Sequence, residues 1–347
     1  MWVLSFNLHY QREDFELSVK DCSLPLLTGV FGPSGIGKTS LLRLLAGLEH
    51  PQTGDIKYLE QVWFDSNSCL ASYQRPIAFV TQGSFLFPHL TAAKNIKLSQ
   101  RVSASDLAYL VESFGVENLL NKNAQQLSGG QAQRVALVRA LATKPKVLLL
   151  DEAFSALDRK AATNLLKILK KWLKQHGICS LLISHNPEDL VFFSDKVLLM
   201  EDSKTLTLGN SLELINQYNG KAKQAIVLSV ERSERLADEG WRWFKLGQQY
   251  ILAESPEVLD EGVHLVSISP SNIVLSKQFV ESCSAQNQWQ AEVLSVNSLA
   301  GTYYVEVSLE GVAFKVPISP QAQQALALKM GEQIFLMHKA VKLHNQF

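Results

Sequence analysis

The stretch GPSGIGKTS at residues 32–40 constrains the fold of this chain more than any other. It fits the spacing G-x-x-x-x-G-K-[ST], whose fixed positions are Gly32, Gly37, Lys38 and Thr39. A glycine-rich loop lets backbone N–H groups turn toward a polyphosphate, and the following helix points its positive end at the same anion. An apolar run precedes the loop at 26–31 and a helical pattern follows at 41–48. The sequence therefore predicts a strand, a phosphate-binding loop and a helix, in that order.

The composition is that of an ordinary globular chain without a strong electrostatic field. Of 347 residues, 46% are hydrophobic and 19% are charged, and this length favours two domains. Lysine plus arginine and aspartate plus glutamate both number 33, which argues against nucleic acid as a partner. The four cysteines form no C-x-x-C pair and suit a reducing compartment.

Nothing in the sequence predicts insertion into a bilayer. No stretch reaches about 18 consecutive apolar residues. Residues 1–14 lack the basic start and long apolar core of a signal peptide. We therefore expect a cytosolic chain that reaches a membrane only through a partner.

Short apolar strands alternate with helices up to about residue 220, which indicates an α/β layer with a parallel sheet. In such sheets, functional residues lie at the carboxyl ends of the strands. Three predicted strands end directly before polar candidates, which are Gln82, Asp151, Glu152 and His185. Together with the phosphate loop, four segments are expected to meet at one edge.

The pattern changes after about residue 220. Short strand-like stretches separated by turn residues run from 227 to 338, which indicates an all-β domain of barrel type. We therefore predict a nucleotide-binding domain at 1–225, with a helical subdomain at about 91–143. A C-terminal β-barrel domain is predicted at 226–347.

The segment LSGGQ at 127–131 opens a predicted helix and is a second candidate anion site. Its residues are Ser128, Gly129, Gly130 and Gln131. The motifs occur in the order GPSGIGKT, VTQ (80–82), LSGGQ, LLLDE (148–152), SALD (155–158) and SH (184–185). On these motifs, residues 1 to about 220 resemble an ABC-type ATPase, the P-loop NTPase that serves as the nucleotide-binding subunit of a membrane transporter.

The resemblance implies ATP and Mg²⁺ as cofactors. The implied ATP-binding residues of the loop are Gly32, Pro33, Ser34, Gly35, Ile36, Gly37, Lys38, Thr39 and Ser40. Lys38 would reach the β- and γ-phosphates. The implied Mg²⁺ ligands are Thr39, Gln82 and Asp151, the last through water.

The resemblance also implies the catalytic roles. Glu152 would be the general base for the attacking water, Gln82 would contact that water, and His185 would hydrogen-bond the γ-phosphate. Ala153 stands where the family usually has proline, and Ser184 where threonine is common. Neither departure removes a catalytic group. The aromatic residue that stacks on adenine is expected to be Tyr10, with Phe15 as the second choice.

The family arrangement implies a homodimer in which the signature segment of one subunit closes on ATP held by the other. Asp158, which we also expect to cap a helix, would lie at this interface. Further implied partners are an integral membrane permease and, indirectly, a periplasmic binding protein. Residues 85–88 (FLFP) would meet the permease or form core. The expected location is peripheral, at the cytoplasmic face of the inner membrane.

The C-terminal part resembles the OB-like barrel appended to importer ATPases. Residues from about 288 to 345 are similar to the molybdate-binding small-domain family of the TOBE type, and the segment 316–343 carries this similarity. The resemblance favours an importer for molybdate, with tungstate as a second oxyanion. Ser319 and Lys339 are candidate ligands for a tetrahedral dianion, and the alternative is a barrel that only stabilises the dimer.

Other functions stay open from the sequence. The importer could carry iron, sulfate or a sugar, because nothing in the chain contacts the cargo directly. A different class would be an ABC ATPase that works without a membrane, or an oxyanion-binding regulatory protein. The second of these leaves Lys38, Glu152 and His185 without a purpose.

Overall fold

The computed structural model describes residues 3–12, 15–204, 206–222, 225–235, 237–238, 240–255, 263–299 and 302–344. The chain divides into two compact units, Met1–Ser211 and Leu212–Phe347. The sequence placed the boundary later, at 225/226. The difference arises from Asn216, whose side chain accepts from the N–H of Val227 (2.8 Å) and donates to its carbonyl (2.6 Å). These bonds join the helix that contains Asn216 to the second unit.

The first unit contains ten strands and six longer helices among its described residues. The strands are β1 (Leu4–Arg12), β2 (Phe15–Leu24), β3 (Leu27–Phe31), β4 (Thr53–Tyr58), β5 (Gln61–Phe64), β6 (Ile77–Val80), β7 (Val147–Asp151), β8 (Cys179–Ile183), β9 (Lys196–Met200) and β10 (Leu206–Gly209). The helices are α1 (Lys38–Ala46), α2 (Ala92–Lys97), α3 (Ala104–Ser113), α4 (Gly129–Ala142), α5 (Arg159–His176) and α6 (Pro187–Phe193).

These strands form two sheets. One has the order β2-β1-β4-β5 and is antiparallel. The other has the order β10-β9-β3-β8-β7-β6, and only β10 runs antiparallel to its neighbour. Strands β3, β7 and β8 are buried at every position, as expected for a parallel sheet covered on both faces. The predicted parallel α/β layer is confirmed, and its carboxyl edge collects the candidate residues.

The second unit begins with α7 (Ser211–Ala222), whose first residue still belongs to the first unit, and continues as two β assemblies. The remaining elements are β11 (Ile226–Arg232), β12 (Trp241–Leu246), β13 (Gln249–Glu254), β14 (Val263–Ile268), β15 (Val274–Ser276), β16 (Asn287–Leu299), β17 (Thr302–Leu309), β18 (Val312–Ile318), α8 (Pro320–Leu326), β19 (Gln333–His338) and β20 (Val341–His344). A closed barrel has the order β11-β12-β13-β20-β14, and a five-stranded sheet has the order β15-β19-β16-β17-β18.

The predicted β-rich C-terminal architecture is confirmed, although the predicted strand-like stretches omitted β12 and β20. The β12 sequence WRWFKL does not alternate strictly between apolar and polar residues, so it lacks the usual strand signal. One core of buried side chains, among them Phe244, Trp289 and Val305, includes residues of both β assemblies. None of the helices in the described residues is long and apolar enough to cross a bilayer.

Candidate active site

The loop between β3 and α1 is shaped by two glycines that no other residue could replace without strain. Gly32 has φ +151°, and a Cβ there would lie 2.3 Å from the carbonyl oxygen of Met200. Gly37 has φ +104°, and a Cβ there would lie 2.3 Å from the ring of Phe15. Both positions lie in the backbone region that favours glycine. The spacing seen in the sequence therefore has a steric cause.

Lys38 begins α1 and crosses back over the loop. Its Nζ donates to the carbonyl oxygens of Gly32 (2.9 Å) and Pro33 (2.7 Å), and the residue is only 8% exposed. Burial lowers the pKa of Lys38, while the nearby carboxylates of Glu152 and Asp151 act in the opposite direction. A cation is thus held at the loop close to two acidic groups.

The Thr39 hydroxyl and the Asp151 carboxylate lie together although they are far apart in the sequence. Thr39 Oγ1 donates to Asp151 Oδ2 over 2.8 Å. Burial raises the pKa of Asp151, and Glu152 adds to this, whereas Thr39, Lys38 and His185 lower it. A hydroxyl and a carboxylate are the hard oxygen ligands that Mg²⁺ takes beside phosphate oxygens, so this pair fits the ion.

Glu152 and His185 contact each other at the carboxyl edge of the parallel sheet. His185 Nε2 lies 2.6 Å from Glu152 Oε1, and the two side chains are 59% and 20% exposed. Glu152 has φ +52°, in the left-handed region that a non-glycine residue occupies at a cost on the order of 1–3 kcal/mol. Its N–H donates to Ile183 O at the end of β8 (3.1 Å). The sheet edge thus holds the Glu152 backbone in an uncommon conformation.

A cavity of about 290 Å³ joins these groups. Its lining residues are Ser34, Gly35, Gly37, Lys38, Thr39, Ser40, Glu152, Ile183 and His185. Three of the four predicted segments therefore meet. Gln82 is exposed and is not among the lining residues. The main-chain carbonyl of Gln82 instead accepts from Gln133 Nε2 of α4 (3.3 Å).

The signature residues begin α4 as predicted. Ser128 Oγ accepts from the N–H of Gln131 (3.4 Å), and Gln131 Oε1 accepts from the N–H of Ser128 (3.1 Å), which is a capping box. Ser128 and Gly129 are exposed. A Cβ on Gly130 would lie 3.0 Å from Ala156 O, so this glycine allows α4 to approach the segment before α5.

Asp158 caps α5, as the sequence predicted. Its Oδ1 accepts from the N–H of Ala161 (2.9 Å), and the residue is exposed. The capping role is therefore confirmed, and the role at a subunit interface stays a prediction.

Gln133 is a residue that sequence reasoning missed. It is 2% exposed, and its Oε1 accepts from Ala156 N–H (3.0 Å). Its Nε2 donates to Gln82 O (3.3 Å) and Ser155 Oγ (3.4 Å). The amide thus joins the signature helix to the segments that carry Gln82 and Asp158. A signal existed, because residue 133 lies at helical spacing from the apolar positions 136, 137 and 140, where an amide must be buried and bonded.

Two aromatic residues compete for the adenine base. Tyr10 is 7% exposed and belongs to the core between the antiparallel sheet and α1, so its ring has little free surface. Phe15 is half-buried, and its ring lies against Gly37 of the phosphate loop. The geometry therefore favours Phe15 over Tyr10, contrary to the order expected from the sequence.

The two candidate oxyanion ligands of the C-terminal unit both take part in hydrogen bonds within that unit. Ser319 caps α8, because its Oγ accepts from Ala322 N–H (3.1 Å). Lys339 lies between β19 and β20, and its carbonyl accepts from Asn287 Nδ2 (3.2 Å). Neither Ser319 nor Lys339 lines any of four cavities in the described residues.

The fold and the edge of the sheet define a P-loop nucleotide-binding protein, and comparisons with known proteins narrow this class. The family model described as "ABC transporter" matches residues 21–155, and the "TOBE domain" model matches residues 283–345. The molybdenum import ATP-binding protein ModC of Haemophilus ducreyi is 30% identical over 98% of this chain and 100% of its own length. ModC of Escherichia coli strain K12 is 30% identical over 91% of this chain and 92% of its own.

A solved structure gives the same fold. The dimeric bacterial ABC transporter cassette MJ0796 is 25% identical, with a TM-score of 0.51 over 60% of this chain and 98% of the cassette. The chain belongs to the ABC transporter ATP-binding proteins that carry a C-terminal TOBE domain. It is an ABC-type ATPase subunit that binds ATP. Cassettes of this family dimerise and work with a permease.

Proposed function

We propose that this chain hydrolyses ATP, as a homodimer, to drive an importer for molybdate, with tungstate as a second oxyanion. The observation that carries the ATPase part is the 2.6 Å contact of Glu152 with His185 at the cavity of the phosphate loop. The full-length identity of 30% to molybdenum importers supports the substrate. The chain would sit peripherally at the cytoplasmic face of the inner membrane, bound to its permease. A periplasmic binding protein would deliver the cargo.

The residues at the sheet edge suit phosphoryl transfer to water. Lys38 neutralises charge on the β- and γ-phosphates, and Glu152 accepts the proton of the attacking water. His185, whose Nε2 contacts Glu152, would hydrogen-bond the γ-phosphate when ATP is bound. Thr39, Asp151 and Gln82 would hold Mg²⁺, which supplies further charge neutralisation when bound. Ser128, Gly129, Gly130 and Gln131 of a second copy would complete the site at a twofold contact.

Glu152→Gln tests the ATPase proposal. The amide keeps the shape but cannot accept a proton, so we expect kcat to fall by roughly 100-fold or more while ATP binding persists. The variant should accumulate as an ATP-bound dimer in size-exclusion chromatography. Glu60→Gln, at an exposed turn, is the matched control. Turnover of the Glu152 variant at the wild-type rate would refute the proposal.

The cargo is tested in the complex with its permease and binding protein in liposomes. We expect molybdate and tungstate to stimulate ATP hydrolysis, and sulfate, ferric iron and maltose to leave it at the basal rate. Stimulation by one of the latter group alone would reassign the importer to that substrate.

We propose that Phe15 supplies the adenine-stacking face. Its ring already lies on the phosphate loop, and base–aromatic stacking contributes about 1–3 kcal/mol. Phe15→Leu should weaken binding of ATP by roughly ten-fold, measured by fluorescence of a labelled nucleotide. Tyr10→Leu removes the other candidate ring, serves as the matched comparison and should bind ATP normally. The opposite ranking of the two variants would restore Tyr10 as the stacking residue.

We propose that the permease docks beside Gln82. Phe85 and Phe87 are 77% and 49% exposed, and they line a groove of about 460 Å³ between β6 and α4. Phe87→Asp should retain ATP binding but abolish co-purification with the permease. Leu59→Asp places the same charge on an exposed leucine at the β4–β5 turn and should assemble normally. Assembly of the Phe87 variant at wild-type yield would exclude this docking site.

A regulatory role of the C-terminal unit would depend on Ser319 and Lys339. We propose that molybdate binds them where two such units meet and changes the ATPase rate. Calorimetry of the full-length dimer with molybdate should show a heat that Lys339→Ala removes. No heat at millimolar molybdate would remove this role and leave the transport proposal intact.

A further inference from the structure

Asp189 is a buried carboxylate that the motifs of the sequence do not include. It lies in the first turn of α6 and is 3% exposed. Its Oδ1 accepts from Arg159 Nη1 (2.6 Å), and its Oδ2 accepts from Ser184 Oγ (2.9 Å). One carboxylate thus holds Ser184, which follows β8, and Arg159, which begins α5.

Each residue that Asp189 holds is adjacent in the chain to a motif residue. Ser184 directly precedes His185, and its Oγ also accepts from Asn186 N–H (3.1 Å), so the hydroxyl fixes the turn around His185. Arg159 directly follows Asp158 and is the first residue of α5. Movement of the His185 turn would therefore act on the beginning of α5 through this carboxylate.

Electrostatic interactions keep Asp189 paired with Arg159. Burial raises the pKa of Asp189, and Arg159 and Ser184 oppose that shift by charge and by hydrogen bonding. Arg159 also contacts the neighbouring Glu188 (Nη2–Oε2 3.5 Å), so its guanidinium faces two acidic groups. A buried carboxylate that loses its cationic partner is strongly unfavourable, which keeps Arg159 and Asp189 together.

We propose that Asp189 is a positioning residue for ATP hydrolysis, which joins the turn of His185 to the beginning of α5 that carries Asp158. This inference rests on the proposed catalytic roles of Glu152 and His185. Asp189 itself is buried and does not line the cavity of the phosphate loop. Its effect is therefore exerted through Ser184 and Arg159, on catalysis rather than on ATP binding.

The test uses the full-length protein and measures kcat together with the Kd for a fluorescent ATP analogue. Asp189→Asn removes the charge at nearly constant volume, and we expect kcat to fall roughly ten-fold or more, because displaced catalytic groups lose effective alignment. The Kd for the nucleotide should change by less than about two-fold. Asp195→Asn is the matched control, because Asp195 forms only a surface pair with Lys174 (3.3 Å), and it should retain wild-type kcat.

Two further variants keep the inference testable if Asp189→Asn does not fold. Ser184→Ala is the milder one and removes only the connection to the His185 turn. Arg159→Met removes the connection to α5 together with the contact to Glu188. Each should lower kcat, and their effects should combine less than additively because both act through one carboxylate. Ser184→Thr keeps the hydroxyl and should rescue kcat.

Different results would refute the positioning role of Asp189 and the ATPase proposal. Wild-type kcat in both Ser184→Ala and Arg159→Met, or in a folded Asp189→Asn, would refute the positioning role while the ATPase proposal stands. A loss of nucleotide affinity that equals the loss of kcat would also refute it. Absence of hydrolysis in the wild-type protein would refute the proposed function, and the inference with it.

Discussion

Buried polar side chains serve different purposes in the two units of this protein. In the first unit, Lys38 and Asp151 are each 8% exposed and line or border a cavity, with Glu152 beside them. In the second unit, the buried amides of Asn216 and Asn287 bond to main chain. Asn287 is fully buried and bonds to both backbone groups of Leu252 (2.7 and 3.0 Å) and to Lys339 O (3.2 Å).

This difference shows how to separate chemistry from architecture. A charge kept near a cavity costs folding free energy that only a ligand can return. Asn287 uses three of the four hydrogen-bonding positions of its amide for backbone groups of the fold. The first unit therefore carries the chemistry that its own residues can explain. The second unit, so far as it is described, is held together by its buried polar groups.

Arg75 is one of the buried polar residues of the first unit that lie away from the phosphate-loop cavity, and its substitution has the largest expected effect. It is 4% exposed, yet it lies away from the phosphate-loop cavity and donates to the carbonyls of Leu44, Leu45, Leu70 and Trp63. Arg75→Met would leave several buried carbonyls unpaired, and we expect a loss of about 3 kcal/mol or more in the free energy of unfolding. Urea unfolding followed by circular dichroism measures it.

The control for Arg75 is Arg43→Met. Arg43 is 44% exposed and pairs with Glu49, so its loss should change the free energy of unfolding by less than about 1 kcal/mol. If Arg75→Met and Arg43→Met had the same free energy of unfolding, the buried charge of Arg75 would have no structural role.

Asn287→Ala examines the same idea in the second unit. It removes the partners of the Leu252 N–H and carbonyl, and we expect a loss on the order of 3 kcal/mol. ATP affinity should stay at the wild-type value, because the first unit contains the whole phosphate loop. Asn297→Ala, at an exposed position, is the control. A fall in ATP affinity of the folded Asn287 variant would contradict the division of labour.

The phosphate loop and the acidic pair could be predicted from sequence because their geometry is local. A strand, a glycine spacing and a helix start fix where Lys38 and Thr39 lie, and two acids directly after a buried strand must reach the edge of the sheet. The same logic could have placed Phe15 before Tyr10 in the expected order. Tyr10 follows Leu4, Phe6 and Leu8 at every second position of β1, and all four residues face the core.

Gln133 and Asp189 could not be placed in this way. Gln133 meets Gln82 across 51 positions, and Asp189 meets Arg159 across 30. No periodicity encodes which distant group an amide or a carboxylate will meet. A polar residue at a buried helical position predicts that a partner exists, but the partner follows only from the packing of α4, α5 and α6.

Asp151→Asn is expected to change the stability of the fold by a smaller amount, which depends on pH. Because burial raises the folded-state pKa of Asp151, its charge destabilises the fold only once the pH exceeds the ordinary value of 3.8. The wild type therefore loses stability relative to the variant as the pH rises through the folded-state pKa. A cost on the order of 1 kcal/mol corresponds to roughly 2–4 °C in melting temperature.

The measurement for Asp151 is thermal unfolding with a chelator and without nucleotide, across the acidic to neutral range. We expect the variant to melt higher at neutral pH, with the difference vanishing below pH 3.8, where both states are protonated. Glu60→Gln, at an exposed turn, serves as the control. A variant that melts lower than wild type at neutral pH would show that Asp151 stabilises the fold rather than serving a ligand.

Ser319→Ala should have the smallest effect on the free energy of unfolding, and it tests whether Ser319 of the second unit contacts an anion. Ser319 caps α8 and Ser103 caps α3 through the same hydroxyl-to-backbone bond (3.1 and 3.0 Å). If Ser319 is only a cap, Ser319→Ala and Ser103→Ala should each cost about 1 kcal/mol in urea unfolding, and Ser319→Thr should restore it. Any molybdate heat would then be unchanged by Ser319→Ala. A change in that heat, at equal stability, would show that the hydroxyl contacts the anion and that the second unit also carries chemistry.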